Sequence, residues 1–197
     1  ANAASAPVFY FDGGPGGSAT SMAGWVARLL RPVNETRDLV FVDVRGTGGS
    51  APLHCPLPGD GEPLQRWFDE FLTDGYVRAC LEAQQADVRF YTQPIAMDDI
   101  DEVRAALGYD RINLYGTSGG TRQAQLYMRQ HGASVRAAVL QGVAPLDAEV
   151  PSSFARAMEI GMRSLIAANP ALAEAWQRAK ARFTDGPVRA TVRHPIT

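Results

Sequence analysis

The sequence predicts an α/β protein with a mostly parallel, doubly wound sheet. Four short segments are almost continuously apolar, as strands are when both faces of a parallel sheet are covered. Segments with apolar residues at helical spacing alternate with these strands. Glycine-rich or small-residue turns follow three of the four strands. The resulting β-α-β-α-β-α-β order favours right-handed crossovers between parallel strands.

The predicted elements lie in the following order along the chain. The strands are "PVFYF" at 7–11, "DLVFVD" at 38–43, "INLYG" at 112–116 and "AAVLQGV" at 137–143. The helices between them are predicted at 22–30, 96–107 and 120–130. In the second helix Ile100, Val103 and Leu107 have helical spacing, which predicts one buried face.

Composition excludes several classes of function. The chain has 197 residues, of which 46% are hydrophobic and 20% are charged, as in ordinary globular proteins. Its formal net charge of −2 provides no broad basic surface, so neither nucleic acid nor an anionic membrane is expected as a partner. No apolar run is long enough to span a bilayer, and no signal-peptide pattern is present. No metal-ligand spacing occurs, so no metal or other cofactor is expected.

Three loops at the carboxyl ends of predicted strands indicate an active site. Residues 116–120, "GTSGG", match the Gly-x-Ser-x-Gly pattern of a nucleophile elbow centred on Ser118. Alone this match is weak, because small-residue turns join strands to helices in many α/β folds. However, "DGGPGGS" at 12–18 and "DVRGTGGS" at 43–50 follow two other strands. Since carboxyl ends of parallel strands share one edge, the three loops together predict a site.

These motifs resemble a known family. "GGPGGS", "DVRGTGGS" and then "YTQPIAMDDIDEVRAALGYDRINLYGTSGG" are similar to the proline iminopeptidase and tripeptidyl aminopeptidase-like branch of the α/β-hydrolases, over residues 7–145. The resemblance implies an α/β-hydrolase core at 1–146 and the start of a helical cap at 147–197. It also implies a serine aminopeptidase that acts on peptide, ester or amide substrates. We expect the fold to be truncated at both ends, with a missing C-terminal segment or second chain supplying the catalytic acid and base.

The chemistry that the resemblance implies is acyl transfer. Ser118 is the expected nucleophile, and the oxyanion is expected to bind the N–H of Gly119 and that of Gly14, with Gly13 as the alternative. Two positions depart from the family pattern. Asp12 replaces a histidine that usually precedes the glycine loop, and Gly119 replaces a residue that is often aromatic. Substrate preference therefore stays open.

The sequence supplies no convincing base for Ser118. His131 lies at the far end of the helix that follows Ser118, about 20 Å away at 1.5 Å per residue. His54 is expected to be a loop or surface residue. Asp147 and His194 satisfy the chain order of a hydrolase triad, but only helices and one short alternating segment follow residue 143. We therefore expect these 197 residues alone to be inactive.

The chain has two cysteines, Cys55 and Cys80, in the excursion between the second strand and the helix that contains Asp98. They are interpreted either as free buried thiols or as a disulfide. Relatives often bridge this excursion, so the resemblance implies a disulfide and a secreted or periplasmic setting.

Beyond residue 146 the pattern is helical. Helices are expected to begin near Ser152 or Ser153 and at Pro170. Helical spacing of Phe154, Met158, Met162 and Leu165 predicts a core face. Glu159 and Glu174 are either exposed carboxylates or, as in relatives, acceptors of a peptide's terminal amine.

Three functional hypotheses follow. The first is a serine aminopeptidase or an esterase of the same fold. The second is a non-catalytic binding module with the hydrolase fold, which a missing triad would also produce. The third is a nucleotide-binding domain that uses the glycine loops, but the chain lacks a Walker lysine and the spaced dinucleotide fingerprint.

Overall fold

A computed structural model describes residues 6–55, 73–149, 152–184 and 186. The chain divides into two compact units, Ala1–Leu146 and Asp147–Thr197. Each unit is described by itself below.

The first unit contains a parallel sheet, as predicted. Its strands are β1 (Val8–Phe11), β2 (Leu39–Phe41), β3 (Ile112–Thr117) and β4 (Val135–Gln141). All paired strands are parallel, and their order in the sheet is β2-β1-β3-β4. The carboxyl end of β3, the longer of the two central strands, therefore lies between the carboxyl ends of β1 and β4.

Helices connect the strands of the first unit. They are α1 (Ala19–Leu29), α2 (Arg31–Asn34), α3 (Asp74–Glu82), α4 (Gln93–Ala106) and α5 (Gly120–His131). The sequence pattern predicted α1, α4 and α5 to within three residues at each end, and it missed α2 and α3. The start of α1 was predicted too late because its first turn is fixed by a cap. The Ser18 side chain accepts a hydrogen bond from the Ser21 N–H.

Both faces of the sheet are covered by helices. Alternation along β1 points Phe9 and Phe11 toward α4 and α5, where they pack in one buried cluster with Met97 and Tyr127. Tyr10 points the other way, into a second cluster with residues of α1 that include Val26. The two clusters make the unit a doubly wound α/β structure, with β1 and β3 packed between helices on both faces.

Strand β4 differs from its prediction as a strand buried on both faces. Among the described residues it pairs only with β3, and Val139 is 61% exposed. Leu140 packs on the cluster beside α5, whereas Val139 faces an open cavity of about 750 Å³ that is also lined by Leu29 and Val33 of α1 and α2. The apolar run was thus read correctly as a strand, but the pattern of one strand cannot show which elements cover it.

The second unit contains two helices, α6 (Ser152–Ala168) and α7 (Pro170–Thr184). Helix α7 begins at the predicted proline. The predicted core face of α6 is exposed in the described residues, since Phe154 and Met158 are 67% and 73% exposed. The two helices pack on one another along a groove whose lining includes Met162 and Trp176. Two helices have too little surface to bury the whole apolar stripe.

Cys55 and Cys80 form a disulfide, as the resemblance implied, and they are 25 residues apart in the sequence. The bond closes the excursion between β2 and α4. We expect its loss in a Cys55→Ser/Cys80→Ser variant to lower the free energy of unfolding by about 3.5 kcal/mol, because the unfolded chain gains loop entropy.

Urea unfolding of the variant and of the oxidised protein would measure this loss. The oxidised protein treated with reductant is the matched control and should approach the variant. Equal stability of all three samples would show that the bridge contributes nothing.

Candidate active site

Ser118 lies in a tight turn between β3 and α5. Its backbone φ is +50°, in the left-handed region that non-glycine residues rarely occupy. The side chain is exposed at the carboxyl edge of the sheet, and the Ser118 N–H donates to the carbonyl oxygen of Gln141, the last residue of β4 (2.8 Å). Such a conformation costs on the order of 1–3 kcal/mol and persists only when the surroundings enforce it. The turn has the form expected of a nucleophile elbow.

A buried threonine that the sequence did not single out holds this turn. The Thr121 hydroxyl donates to the Ser118 carbonyl oxygen (2.6 Å) and accepts from the N–H of Ala144 (2.9 Å). Thr121 is 0% exposed, so its hydroxyl depends on these two hydrogen bonds rather than on water. It therefore ties the elbow to the segment that follows β4.

Glycines allow the elbow to lie directly against the neighbouring strand. A Cβ at Gly120 would lie 2.1 Å from the carbonyl oxygen of Phe11, and one at Gly116 would lie 2.7 Å from that of Gly120. No side chain fits at either position, because the opposing atoms belong to the backbone. The small residues around Ser118 are thus required by the close approach of β3 and α5 to β1.

The first glycine loop lies beside Ser118. A Cβ at Gly13 would lie 3.8 Å from the Ser118 Oγ, and a Cβ at Gly119 would lie 2.7 Å from the carbonyl oxygen of Gly14. Gly14 has a φ of +106°, which only glycine adopts readily. Among the described residues, the N–H groups of Gly14 and Gly119 have no hydrogen-bond acceptor. The two residues expected to form the oxyanion site are therefore adjacent.

Asp43, at the start of the second glycine loop, connects the two loops. Its carboxylate accepts hydrogen bonds from the Ser18 hydroxyl (3.0 Å), the Thr20 N–H (3.0 Å), the Thr20 hydroxyl (2.6 Å) and the Gly49 N–H (3.0 Å). Burial raises the pKa of Asp43, but these hydrogen bonds outweigh it and lower the pKa to about 2. The sequence signal was available, because Asp43 is a charged residue directly after an apolar run.

We expect Asp43→Asn to lower the free energy of unfolding by about 2.5 kcal/mol at pH 7, the equivalent of a fall in pKa from 3.8 to about 2. A depressed carboxyl pKa stabilises the fold above the unfolded pKa and ceases to do so as pH falls through about 2. The difference between variant and wild type should therefore be constant from pH 7 to 5 and shrink between pH 4 and 2.

Urea unfolding across that pH range would measure this difference. Asp110→Asn, at an exposed position, is the matched control and should change little. A difference for Asp43→Asn that does not vary with pH would contradict the assignment.

Asp12 is held on the side of the sheet that faces α1. The Tyr10 hydroxyl donates to its Oδ1 (2.8 Å), and the Thr117 hydroxyl lies 3.0 Å from the Tyr10 oxygen. Burial raises the pKa of Tyr10 to about 12, and the neighbouring carboxylate adds to the rise, so the phenol stays neutral. Hydrogen bonds from Tyr10 to Asp12 and between Tyr10 and Thr117 thus connect the start of the first glycine loop to the residue before Ser118.

The described histidines have their hydrogen-bond partners away from Ser118. His131, at the end of α5, forms a hydrogen bond with Asp98 (2.9 Å) and lies 3.7 Å from Asp101. His54 is exposed in the loop before the disulfide, where its carbonyl oxygen accepts from Gln84. Asp147 is exposed, and His194 lies outside the described residues. None of the described histidines contacts Ser118.

No group of three or more His, Cys, Asp or Glu residues in the described part of the chain is arranged to hold a metal ion. Over the same residues, none of the helices combines the length and apolar character required to cross a membrane.

Comparison with known proteins agrees with this architecture. The family model for the alpha/beta hydrolase fold matches residues 6–187. Tripeptidyl aminopeptidase from Streptomyces lividans is 29% identical over 150 residues, which cover 69% of this chain and 28% of that protein. Serine protease Hip1 from Mycobacterium tuberculosis is 31% identical over 157 residues, which cover 70% of this chain and 30% of that protein. The chain therefore spans less than a third of the length of these relatives.

Solved structures with a similar fold include a proline iminopeptidase-related protein from Thermus thermophilus. It has 22% identity and a TM-score of 0.45, over 70% of this chain and 36% of that one. The resemblance to the tripeptidyl aminopeptidase-like branch, first indicated by the loop motifs, is confirmed by the sequence relatives. Because the family model covers well over half of its length, the chain belongs to the alpha/beta hydrolase fold family.

Proposed function

We propose that this chain provides the nucleophile and the oxyanion site of a serine hydrolase that releases residues from the N-terminus of peptides. The observation that carries the proposal is the backbone of Ser118, an exposed serine with a φ of +50° at the carboxyl edge of the sheet. The names of two relatives, a tripeptidyl aminopeptidase and a serine protease, favour a peptide substrate.

In the proposed reaction the Ser118 Oγ attacks the substrate carbonyl carbon while its proton passes to a base. The carbonyl oxygen becomes an oxyanion that binds the N–H groups of Gly14 and Gly119, each worth about 3 kcal/mol of transition-state stabilisation. The N-terminus of α5 adds a favourable dipole. The leaving amine then takes the proton from the base, and water hydrolyses the acyl-enzyme.

The base and acid are proposed to come from a segment beyond these 197 residues or from a second chain. Neither His54 nor His131 contacts Ser118, and the relatives are much longer than this chain. Without a base to accept its proton, the Ser118 hydroxyl is a weak nucleophile. The 197-residue chain alone is therefore proposed to show only residual hydrolysis.

The proposed setting is secreted or periplasmic. The disulfide between Cys55 and Cys80 favours an oxidising compartment. The second unit, Asp147–Thr197, is proposed to be the start of a cap, because it is helical and carries an exposed apolar stripe. An exposed apolar stripe is expected on a helix that covers a substrate, and it is not expected on a pair of helices that stands alone in water.

A fluorophosphonate probe tests the proposal, because it forms a covalent bond only with an activated serine. The complete natural protein should be labelled at Ser118 and should hydrolyse an aminoacyl arylamide, whereas the 197-residue chain should do neither at a comparable rate. An unlabelled and inactive complete protein would favour the non-catalytic binding module. Full activity of the 197-residue chain, lost in His194→Ala and Asp147→Ala, would show a triad within the chain.

A further inference from the structure

The hydroxyl of Tyr10 contacts one residue that follows β1 and one at the end of β3. It donates to Oδ1 of Asp12, the first residue after β1 (2.8 Å), and it lies 3.0 Å from the hydroxyl of Thr117, the last residue of β3. Because a neutral phenol has a single hydrogen, Thr117 is the donor in the second contact. One hydroxyl therefore bridges the start of the first glycine loop and the residue before Ser118.

This bridge lies beyond the end of the backbone ladder between β1 and β3. The last residues that pair in the ladder are Phe11 and Gly116. Among the described residues, no backbone hydrogen bond joins residues 12–17 to residues 117–121. Tyr10 therefore supplies a polar link at a place where the ladder no longer holds the two segments together.

Each bridged residue lies two positions before a proposed oxyanion donor. Asp12 precedes Gly14, and Thr117 precedes Gly119. The two segments are in close contact, since a Cβ at Gly119 would lie 2.7 Å from the carbonyl oxygen of Gly14. A shift of one segment against the other changes the separation of the two amides. An oxyanion that must bind both N–H groups is sensitive to that separation.

The ring of Tyr10 is held by its neighbours, so its hydroxyl has a fixed position. Tyr10 is 3% exposed and packs in the buried cluster that contains Val26 of α1. Its ring centroid lies 5.8 Å from that of Phe41 in β2 and 5.6 Å from that of Tyr115 in β3. Burial raises the pKa of Tyr10 to about 12, so the phenol keeps its hydrogen at neutral pH.

We propose that Tyr10 is a positioning residue, which sets the separation of the Gly14 and Gly119 amides by bridging Asp12 and Thr117. It acts through these two residues and not through contact with the substrate. This inference rests on the proposed hydrolase function and adds a residue that supports its transition state.

The test is Tyr10→Phe in the complete natural protein, because phenylalanine keeps the ring and removes only the hydroxyl. With an aminoacyl arylamide we expect kcat to fall about 20-fold and KM to stay within about 2-fold, since the oxyanion amides act in the transition state. The Ki of phenylboronic acid, whose adduct with a serine is tetrahedral, should rise by about the same factor as kcat falls. An unchanged kcat in a folded Tyr10→Phe protein would overturn the inference.

Tyr109→Phe is the matched control. The Tyr109 hydroxyl also donates to a carboxylate, Oδ2 of Asp38 (2.8 Å). Tyr109 precedes β3 and Asp38 precedes β2, so this pair lies at the amino end of the parallel sheet. The control should lose a similar amount in melting temperature and keep kcat within about 2-fold. Equal falls of kcat in the two variants would assign the loss to lower stability and would rule out a positioning role.

Thr117→Val removes the other half of the bridge and keeps the shape of the side chain. Its kcat should fall about 5-fold. The double variant Tyr10→Phe/Thr117→Val should be no slower than Tyr10→Phe, because both substitutions act through one bridge. Losses that multiply in the double variant would contradict the inference. If Tyr10→Phe does not fold, Thr117→Val decides the question, and a wild-type kcat in that variant overturns the inference.

The inference and the proposed function fail in different ways. If wild type hydrolyses the arylamide in a Ser118-dependent manner and Tyr10→Phe keeps its kcat, only the inference fails. If wild type does not hydrolyse the arylamide and is not labelled at Ser118, both fail.

Discussion

Ser118→Ala is expected to lower kcat of the complete natural protein about 10⁶-fold, while its fold stays intact. In the proposed mechanism the Ser118 hydroxyl forms the acyl-enzyme, so the variant would keep only the rate that the proposed oxyanion amides and substrate binding provide. Initial rates with an aminoacyl arylamide, measured at high protein concentration, would quantify the loss.

Two controls separate chemistry from folding in this experiment. Ser118→Ala keeps the Cβ and hence the strained φ of +50°, so its melting temperature should match that of wild type. Ser118→Gly should be equally inactive but more stable by about 1 kcal/mol, because glycine adopts that φ without strain. A Ser118→Ala protein that keeps more than a tenth of its activity would assign the nucleophile to another residue.

Gly120→Ala is expected to produce the largest loss of stability of any single methyl added near the site. The new Cβ would lie 2.1 Å from the Phe11 carbonyl oxygen and 2.6 Å from that of Asp12. Both are backbone atoms of β1 and its loop, and β1 is fixed by hydrogen bonds to strands on either side. We expect a loss of about 4 kcal/mol or more, which corresponds to a fall in melting temperature of roughly 8–16 °C.

Gly24→Ala is the matched control for this substitution. Gly24 lies within helix α1, where an added Cβ would meet no atom within 4 Å. Alanine favours a helix over glycine by about 1 kcal/mol, so this variant should melt at the same or a slightly higher temperature. Thermal unfolding followed by circular dichroism compares the two. Equal melting temperatures would contradict the close contact between α5 and β1.

Both predictions depend on one arrangement, in which Ser118 is held where two strands and a helix meet. The Gln141 carbonyl oxygen accepts a hydrogen bond from the Ser118 N–H, and the Thr121 hydroxyl donates to the Ser118 carbonyl oxygen. Gly120 has no side chain and so allows β1 to approach closely. The energy of these contacts offsets the strained backbone of Ser118. A substitution at Thr121 or Gly120 is therefore expected to affect both stability and the orientation of the Oγ, whereas Gln141 acts through its backbone carbonyl oxygen.

Local sequence patterns determined the fold class and most of its elements, although they missed α2 and α3. Continuous apolar runs indicated buried strands, and apolar residues at helical spacing indicated α4. Glycine-rich loops after such runs are local signals too, because a backbone that turns sharply or accepts a close neighbour needs residues without a side chain. The elbow at Ser118 could therefore be located from five consecutive residues.

Only the tertiary structure decided which residues support that elbow. Asp43 and Gly49 are six residues apart, but the other partners of Asp43, Ser18 in the first loop and Thr20 in α1, are more than twenty residues away from it. In the sequence Thr121 is indistinguishable from an ordinary helical residue. The structure shows that its hydroxyl accepts a hydrogen bond from the N–H of Ala144, which follows β4. The exposure of Val139 on β4 likewise depends on which elements lie over that strand. These contacts join segments that are distant in the sequence, whereas a local pattern shows only the periodicity of its own segment. The contacts are therefore determined only when the strands assemble in the order β2-β1-β3-β4.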